Sequence, residues 1–252
     1  MSLPRDRLVT YLNEYLEIAA WDEKSLNGLQ VEGAAEVERV ALATDAALAT
    51  FAMAQEAGAA FLIVHHGLFW GRVEPVVGPQ RARIAALLGA GISLYAAHLP
   101  LDAHPGVGNN AVLARLLKVE NLVPFGRWGG RTLGWRGLLR ATTDRAGLAA
   151  GLEALLQARP DVLPFGADEI RSVAIVSGAA ADLVDEAAAA GVDAFVTGET
   201  SHVAWHRARE LGMNVFFAGH YATETLGVRA LGDHLAGEFG VETVFLDSPT
   251  GY

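Results

Sequence analysis

Apolar positions along this chain follow two periods. Leu8, Tyr11, Leu12, Tyr15, Leu16 and Ala19 fall at helical spacing behind Pro4, which predicts an amphipathic helix with a proline near its start. A loop carrying Asn27-Gly28-Leu29-Gln30 follows, and then short apolar runs alternate with amphipathic stretches. Strands are predicted at 39–43, 60–64 and 92–97. Helices are predicted at 46–57, 80–90 and 109–117, the first two stopped by Gly58 and Gly91. Strand–helix alternation of this kind predicts an α/β fold with a largely parallel sheet under helices.

The second half repeats the plan. Val40-Ala41-Leu42 aligns with Val173-Ala174-Ile175, and Gly58 with Gly191, at one offset (173 − 40 = 191 − 58 = 133). His66 then falls opposite Glu199, and Ala90-Gly91-Ile92 matches Leu211-Gly212-Met213. After a one-residue insertion, Gly219, the run His98-x-x-x-Asp102 matches His220-x-x-x-Glu224. This reads as a duplicated α/β unit. Pro124 and three glycines make 121–130 the natural seam, dividing a first repeat, 1–125, from a second, 126–252. Beyond it a strand is predicted at 132–141, a helix at 144–157 capped by Asp144, a linker at 160–167 and a helix at 201–211.

Composition narrows the function classes. The chain has 252 residues, 52% of them hydrophobic, a formal net charge of −10 and no cysteine. Mean hydropathy is +0.26. Alanine-rich helices account for much of that, and the rest is expected to be apolar surface buried between subunits. The acidic balance and the lack of a Lys/Arg cluster argue against nucleic acid as a partner. No signal peptide is visible and no apolar stretch reaches bilayer length, so no membrane partner is expected and the cytoplasm is the expected location. Without cysteine, disulfides, thiolate sites and thiol nucleophiles are excluded, and any metal must be held by nitrogen and oxygen.

Donors of that kind collect at strand ends. His65-His66-Gly67 follows Phe61-Leu62-Ile63-Val64, His98-x-x-x-Asp102 follows the run ending Tyr95-Ala96-Ala97, and His220-x-x-x-Glu224 follows Phe216-Phe217-Ala218-Gly219. Open α/β sheets place their sites beyond the carboxyl ends of strands, and imidazole with carboxylate suits divalent metals. Adjacent strand residues point to opposite faces, so His65 and His66 are read as lying just past the strand end, where they can reach two neighbouring ions. On a helix His220 and Glu224, at i and i+4, share one face. Together the three ends suggest one metal centre holding two ions. In the bland alternative the histidine pair is buried without metal, Asp102 belongs to a loop turn, and Asn109 or Asn110 caps the following helix. His202 and His206 have the same i, i+4 spacing but sit on an amphipathic helix with Trp205 and Arg209, and are read as structural. His104 and His234 carry no supporting context. Walker, Rossmann and Gly-x-Ser-x-Gly signatures are absent, so water activated by metal is the economical nucleophile.

Asn27-Gly28-Leu29-Gln30-Val31, His65-His66-Gly67, His98-Leu99-Pro100-Leu101-Asp102, Gly108-Asn109-Asn110 and Gly219-His220-x-x-x-Glu224 together resemble the Nif-three-like family. Its bacterial members are commonly labelled GTP cyclohydrolase I type 2 homologues. The resemblance is collinear over nearly the whole chain. It implies two intertwined, duplicated α/β repeats with mixed, mostly parallel sheets, no inserted middle domain, and a toroidal homohexamer with a dinuclear centre in each subunit. Carried over by motif, the ligands are His65, His66, Asp102, His220 and Glu224, with Glu224 the bridge. His98 takes a place beside the metals as a supporting or proton-transfer group. Iron, zinc and manganese are the candidate metals. No phosphate loop or basic cluster for GTP is visible. The expected function is metal-dependent hydrolysis of a small, nucleotide-like substrate, with His98 or Glu199 moving protons. The alternative is a non-catalytic metal-binding ring that acts as scaffold or regulator.

Overall fold

The structure is a computed structural model that describes residues 2–251. The chain forms two compact units. One runs to Gly108 and includes Gly227–Ser248. The other comprises Asn109–Leu226 with the C-terminal residues from Pro249. The changeovers thus fall after Gly108, Leu226 and Ser248.

In the first unit a five-stranded sheet runs in the order Glu242–Phe245, Arg39–Asp45, Phe61–His66, Ser93–Ala96, Gly28–Val31. The first four are mutually parallel and the last is antiparallel. Alternate residues of its strands feed two apolar layers. Val40, Leu42, Phe61, Ile63 and Tyr95 pack with Leu8, Leu12 and Leu16 of the helix Arg5–Tyr15 and its C-terminal turn and with Val228, Leu231 and Leu235. Ala41, Ala43, Leu62, Val64 and Leu94 pack with Phe51 of the helix Leu48–Glu56 and Leu87 of the helix Gly78–Ala90. Burial on both faces is why these strands read as unbroken apolar runs.

The second unit holds a six-stranded sheet in the order Val119–Trp128, Arg131–Asp144, Glu169–Ile175, Ala194–Thr197, Asn214–Phe217, Asp161–Pro164. Its three strands from Glu169 to Phe217 are parallel, and the outer pairings are antiparallel. The duplication is therefore visible as three parallel strands with one antiparallel strand beyond the third. The first sheet is mostly parallel. The second is mixed, because a long hairpin occupies the side where the first unit places Glu242–Phe245.

Several local expectations need correction. The expected seam at 121–130 lies largely in the strand Val119–Trp128, which turns through Gly129 and Gly130 into Arg131–Asp144. The expected linker at 160–167 contains the edge strand Asp161–Pro164. The loop Asn27–Gln30 contributes to the strand Gly28–Val31. Asp144 does cap the helix Arg145–Leu156, accepting from the Gly147 amide at 2.7 Å. Among the described residues no helix is long and apolar enough to cross a membrane.

Candidate metal centre

In the first unit the strand Phe61–His66 continues through both histidines, so they are strand residues and not residues beyond its end. The nitrogens that His65, His66 and His98 offer nevertheless lie within 4.8 Å of one another. His65 is fully buried. Its Nδ1 is 3.0 Å from the Ala97 carbonyl, so Nδ1–H donates and Nε2 carries the lone pair. That Nε2 is 3.6 Å from Asp102 Oδ2. Two electron-rich atoms at this separation fit two donors on one ion, which at bond lengths of about 2.1 Å and a tetrahedral angle are about 3.4 Å apart.

The neighbouring imidazoles are held in the same sense. His66 Nδ1 is 2.8 Å from Asp45 Oδ1, the residue beside it in the parallel register. His98 Nδ1 is 2.6 Å from Glu23 Oε2. Glu23 also accepts from the Asn27 side chain at 2.7 Å and the Leu99 amide at 3.1 Å. Burial pushes the Glu23 carboxyl up, but hydrogen bonds from His98, Asn27 and the Leu99 amide outweigh it and hold the group below the usual carboxylate range. Asn27 in turn accepts from the His98 amide at 2.8 Å. Gln30 accepts from the Leu68 amide at 2.7 Å, and a Cβ on Gly67 would run into Gln30 and Ala96. The Asn-Gly-Leu-Gln motif therefore positions the histidine turns. Trp70 completes this side, edge-on to His98 with ring centroids 5.0 Å apart.

Asp102 lies in the short helix Leu99–Ala103 and is buried. Its amide donates to the His98 carbonyl at 3.1 Å, which ties the two residues into one turn.

In the second unit Gly219, at φ 92°, leads into the helix His220–Phe239. The i, i+4 spacing brings His220 Nε2 to 3.0 Å from Glu224 Oε2. His220 Nδ1 is 2.8 Å from Glu199 Oε2. Two carboxylates thus flank one imidazole. A neutral ring can donate to only one of them, so the other contact calls for a cation, either a proton or a metal. Glu224 is buried, its side chain 4% exposed, whereas Glu199 is 55% exposed. Gly178, at φ 64°, makes room for Glu224: a Cβ there would collide with Glu224 Oε1. The Gly178 carbonyl accepts from the Glu199 amide at 2.9 Å, which fixes the loop bearing that carboxylate.

Four residues of this arrangement escape the sequence reading: Asp45, Glu23, Trp70 and Gly178. Asp45 ends a strand whose parallel neighbour ends in the histidine pair, a signal that pairing the strands would have supplied. Glu23 has no such signal, because it lies in an irregular loop. Asn110 does not act as a simple cap. It donates to the Leu133 carbonyl at 2.9 Å and accepts from the Ser177 amide at 2.6 Å, clamping two segments of the second unit.

A family model described as Duf34/NIF3 (NGG1p interacting factor 3) matches residues 4–251. A Deinococcus radiodurans protein named GTP cyclohydrolase 1 type 2 homolog is 45% identical over 247 residues, 98% of this chain and 94% of its own length. A Pyrococcus abyssi protein of the same name is 45% identical over 99% of this chain and 100% of its own. The crystal structure of a Thermus thermophilus protein superposes with a TM-score of 0.93 at 46% identity, covering 99% of this chain and 100% of that one.

Proposed function

The chain belongs to the Duf34/NIF3 family, and from that premise we propose that it is a dinuclear metal-binding protein acting as a hydrolase on a small, nucleotide-like substrate. One observation carries the reading. His65, His66 and His220, the histidines proposed as ligands, each have Nδ1 held by a carbonyl or carboxylate oxygen, from Ala97, Asp45 and Glu199. This is how metal-ligating histidines are oriented: the second nitrogen donates to an oxygen acceptor, which fixes the tautomer and raises the basicity of the first.

His65, His66 and Asp102 from the first unit and His220 and Glu224 from the second are the proposed ligands of two divalent ions, with Glu224 shared. Iron, zinc and manganese all suit this nitrogen–oxygen set. When bound, the ions supply Lewis acidity and acidify water at neutral pH. The chain's own groups do the rest. Burial of His65, Asp102 and Glu224 strengthens their electrostatic hold on a cation. His98, held by Glu23, and Glu199, held to His220 with much of its carboxylate in solvent, move protons to and from the substrate. The Trp70 ring walls the histidine cluster on the first unit. The nucleotide-like substrate class follows the name carried by the relatives. A closed homo-oligomer, a hexamer in this reading, and a cytoplasmic location complete the proposal.

The test is metal content beside turnover. Purified protein should carry close to two transition-metal ions per chain and hydrolyse members of a nucleotide panel, with a metal-stripped control inactive. No metal after purification, and none taken up from iron, zinc or manganese, would overturn the site. Full metal without turnover across the panel would leave the non-catalytic metal-binding role. His98→Ala should keep both ions and lower turnover by roughly a hundredfold. Light scattering that returns a monomer mass would exclude the hexamer.

A further inference from the structure

The second unit carries another pair of histidines that the proposed centre does not use. His202 and His206 lie one turn apart on the helix His202–Leu211, on the same face. Both are exposed, and their ring centroids are 5.6 Å apart at an interplanar angle of 81°. A structural histidine spends its ring nitrogens on hydrogen bonds. His104 is such a residue: its Nδ1 is 3.1 Å from the Gly106 and Val107 amides and its Nε2 3.1 Å from the Tyr15 carbonyl. The rings of His202 and His206 have aromatic contacts instead, with each other and, for His206, with Trp205 at 4.9 Å.

The pair is also held in place. Ser201 caps the helix by accepting from the Ala204 amide at 3.4 Å, which sets His202 in the first turn. Trp205 is fixed between the edge of Phe165, at 5.3 Å, and the Arg209 guanidinium, 5.3 Å from its ring centre. It therefore presents a firm wall to His206. Both histidines open into one cavity of about 640 Å³, whose lining also includes Asp161, Ser201, Trp205 and Phe217. Asp161 belongs to the edge strand, opposite Phe217 in the register.

We propose that His202 and His206 form a second, peripheral site for a borderline transition-metal ion such as zinc. Two imidazoles one helical turn apart are a bidentate chelate for zinc. Two nitrogen donors beside an open cavity leave the remaining positions to solvent. The proposal stands on the second unit alone and does not rest on the dinuclear reading.

Zinc is the probe. In equilibrium dialysis against excess zinc, the full-length protein should bind one ion per chain more than the H202A/H206A variant. The same difference should persist when Glu224→Gln is introduced into both, which separates this site from the proposed centre. Nickel should quench part of the tryptophan emission of the unmodified protein, through Trp205, and that part should be missing in H202A/H206A and in Trp205→Phe. The two histidines are exposed, so the double variant should keep the circular dichroism and melting temperature of the parent. H202Q/H206Q serves in its place should the alanine variant fail to fold. Equal zinc uptake by the parent and a folded double variant would overturn the proposal, as would Trp205-dependent nickel quenching that survives the histidine substitutions.

Discussion

The two units build equivalent strand ends into different chemistry. Asp45 and Gly178 are the same place in the repeat (178 − 45 = 133), as are His66 and Glu199 (199 − 66 = 133). In the first unit the leading strand ends in a carboxylate, Asp45, which holds the histidine of the next strand, His66, at 2.8 Å. In the second the leading strand gives way to Gly178, and the carboxylate appears one strand later, as Glu199, holding His220 at 2.8 Å. The pairing of carboxylate with histidine survives but has moved one strand along. The glycine this frees is where Glu224 is accommodated. A duplicated scaffold thus carries His65, His66 and Asp102 on one copy and His220 with Glu224 on the other, and the glycine at a single position makes the space for Glu224.

The sharpest way to break the contrast is to remove the buried carboxylate. Glu224→Gln should lower affinity for both ions by at least roughly a hundredfold, while Asp102→Asn should loosen one. Elemental analysis after dialysis checks this, and loss of the same single ion from both variants would refute the shared role of Glu224. The next effect is at the glycine. Gly178→Ala forces an alanine into a left-handed conformation, at a cost of about 1–2 kcal/mol, and drives its methyl group into Glu224. Metal affinity should fall about 10- to 100-fold, with a matching drop in denaturation midpoint. An unchanged metal content would show that Glu224 does not need that space.

In the first unit the counterpart is milder. Asp45→Ala leaves His66 in its strand but without its holder, so affinity should drop about tenfold. Stability should change by less than about 1 kcal/mol, since the Asp45 side chain is 37% exposed. Calorimetric titration with zinc, set beside a urea melt, separates the two.

The smallest effect concerns pH. Burial pushes the Asp193 carboxyl up, but hydrogen bonds from the Ser172 hydroxyl and the Arg171 and Ser172 amides, with the Arg171 charge, outweigh it and hold the group below its usual range. A depressed carboxyl contributes stability above its unfolded value, about 3.9. That contribution is lost as pH falls through the folded value. The matching position in the first unit is Ala60 (193 − 133 = 60), which has no carboxyl to titrate. Asp193→Asn should therefore destabilise the protein modestly at pH 7, and the gap to the parent should close as the pH drops below the usual carboxylate range. Urea midpoints at neutral and acid pH test the sign, and hydrogen exchange at the Arg171 and Ser172 amides locates the change in the second unit. A gap that widens in acid would contradict it.

Much was determined by sequence alone. Unbroken apolar runs such as Phe61–Val64 mark strands buried on both faces, glycines mark helix ends, and repeated spacing exposes the duplication. Donors at strand ends follow from these, since a parallel sheet brings successive carboxyl ends to one edge. The strand Val119–Trp128 was hidden because Pro124 and its glycines read as a linker, although its hairpin partner was legible at 132–141. The edge strand Asp161–Pro164 was hidden because it is short and takes its structure only from pairing with Asn214–Phe217. What holds each imidazole was decided by tertiary structure. Asp45 meets His66 through strand pairing and Glu23 meets His98 across 75 residues of chain, while Gly178 matters only because Glu224 comes to lie against it. Periodicity reports which face a residue occupies, a property of neighbours in sequence. Hydrogen bonds between loops depend on where distant segments come to rest, and no local period encodes that.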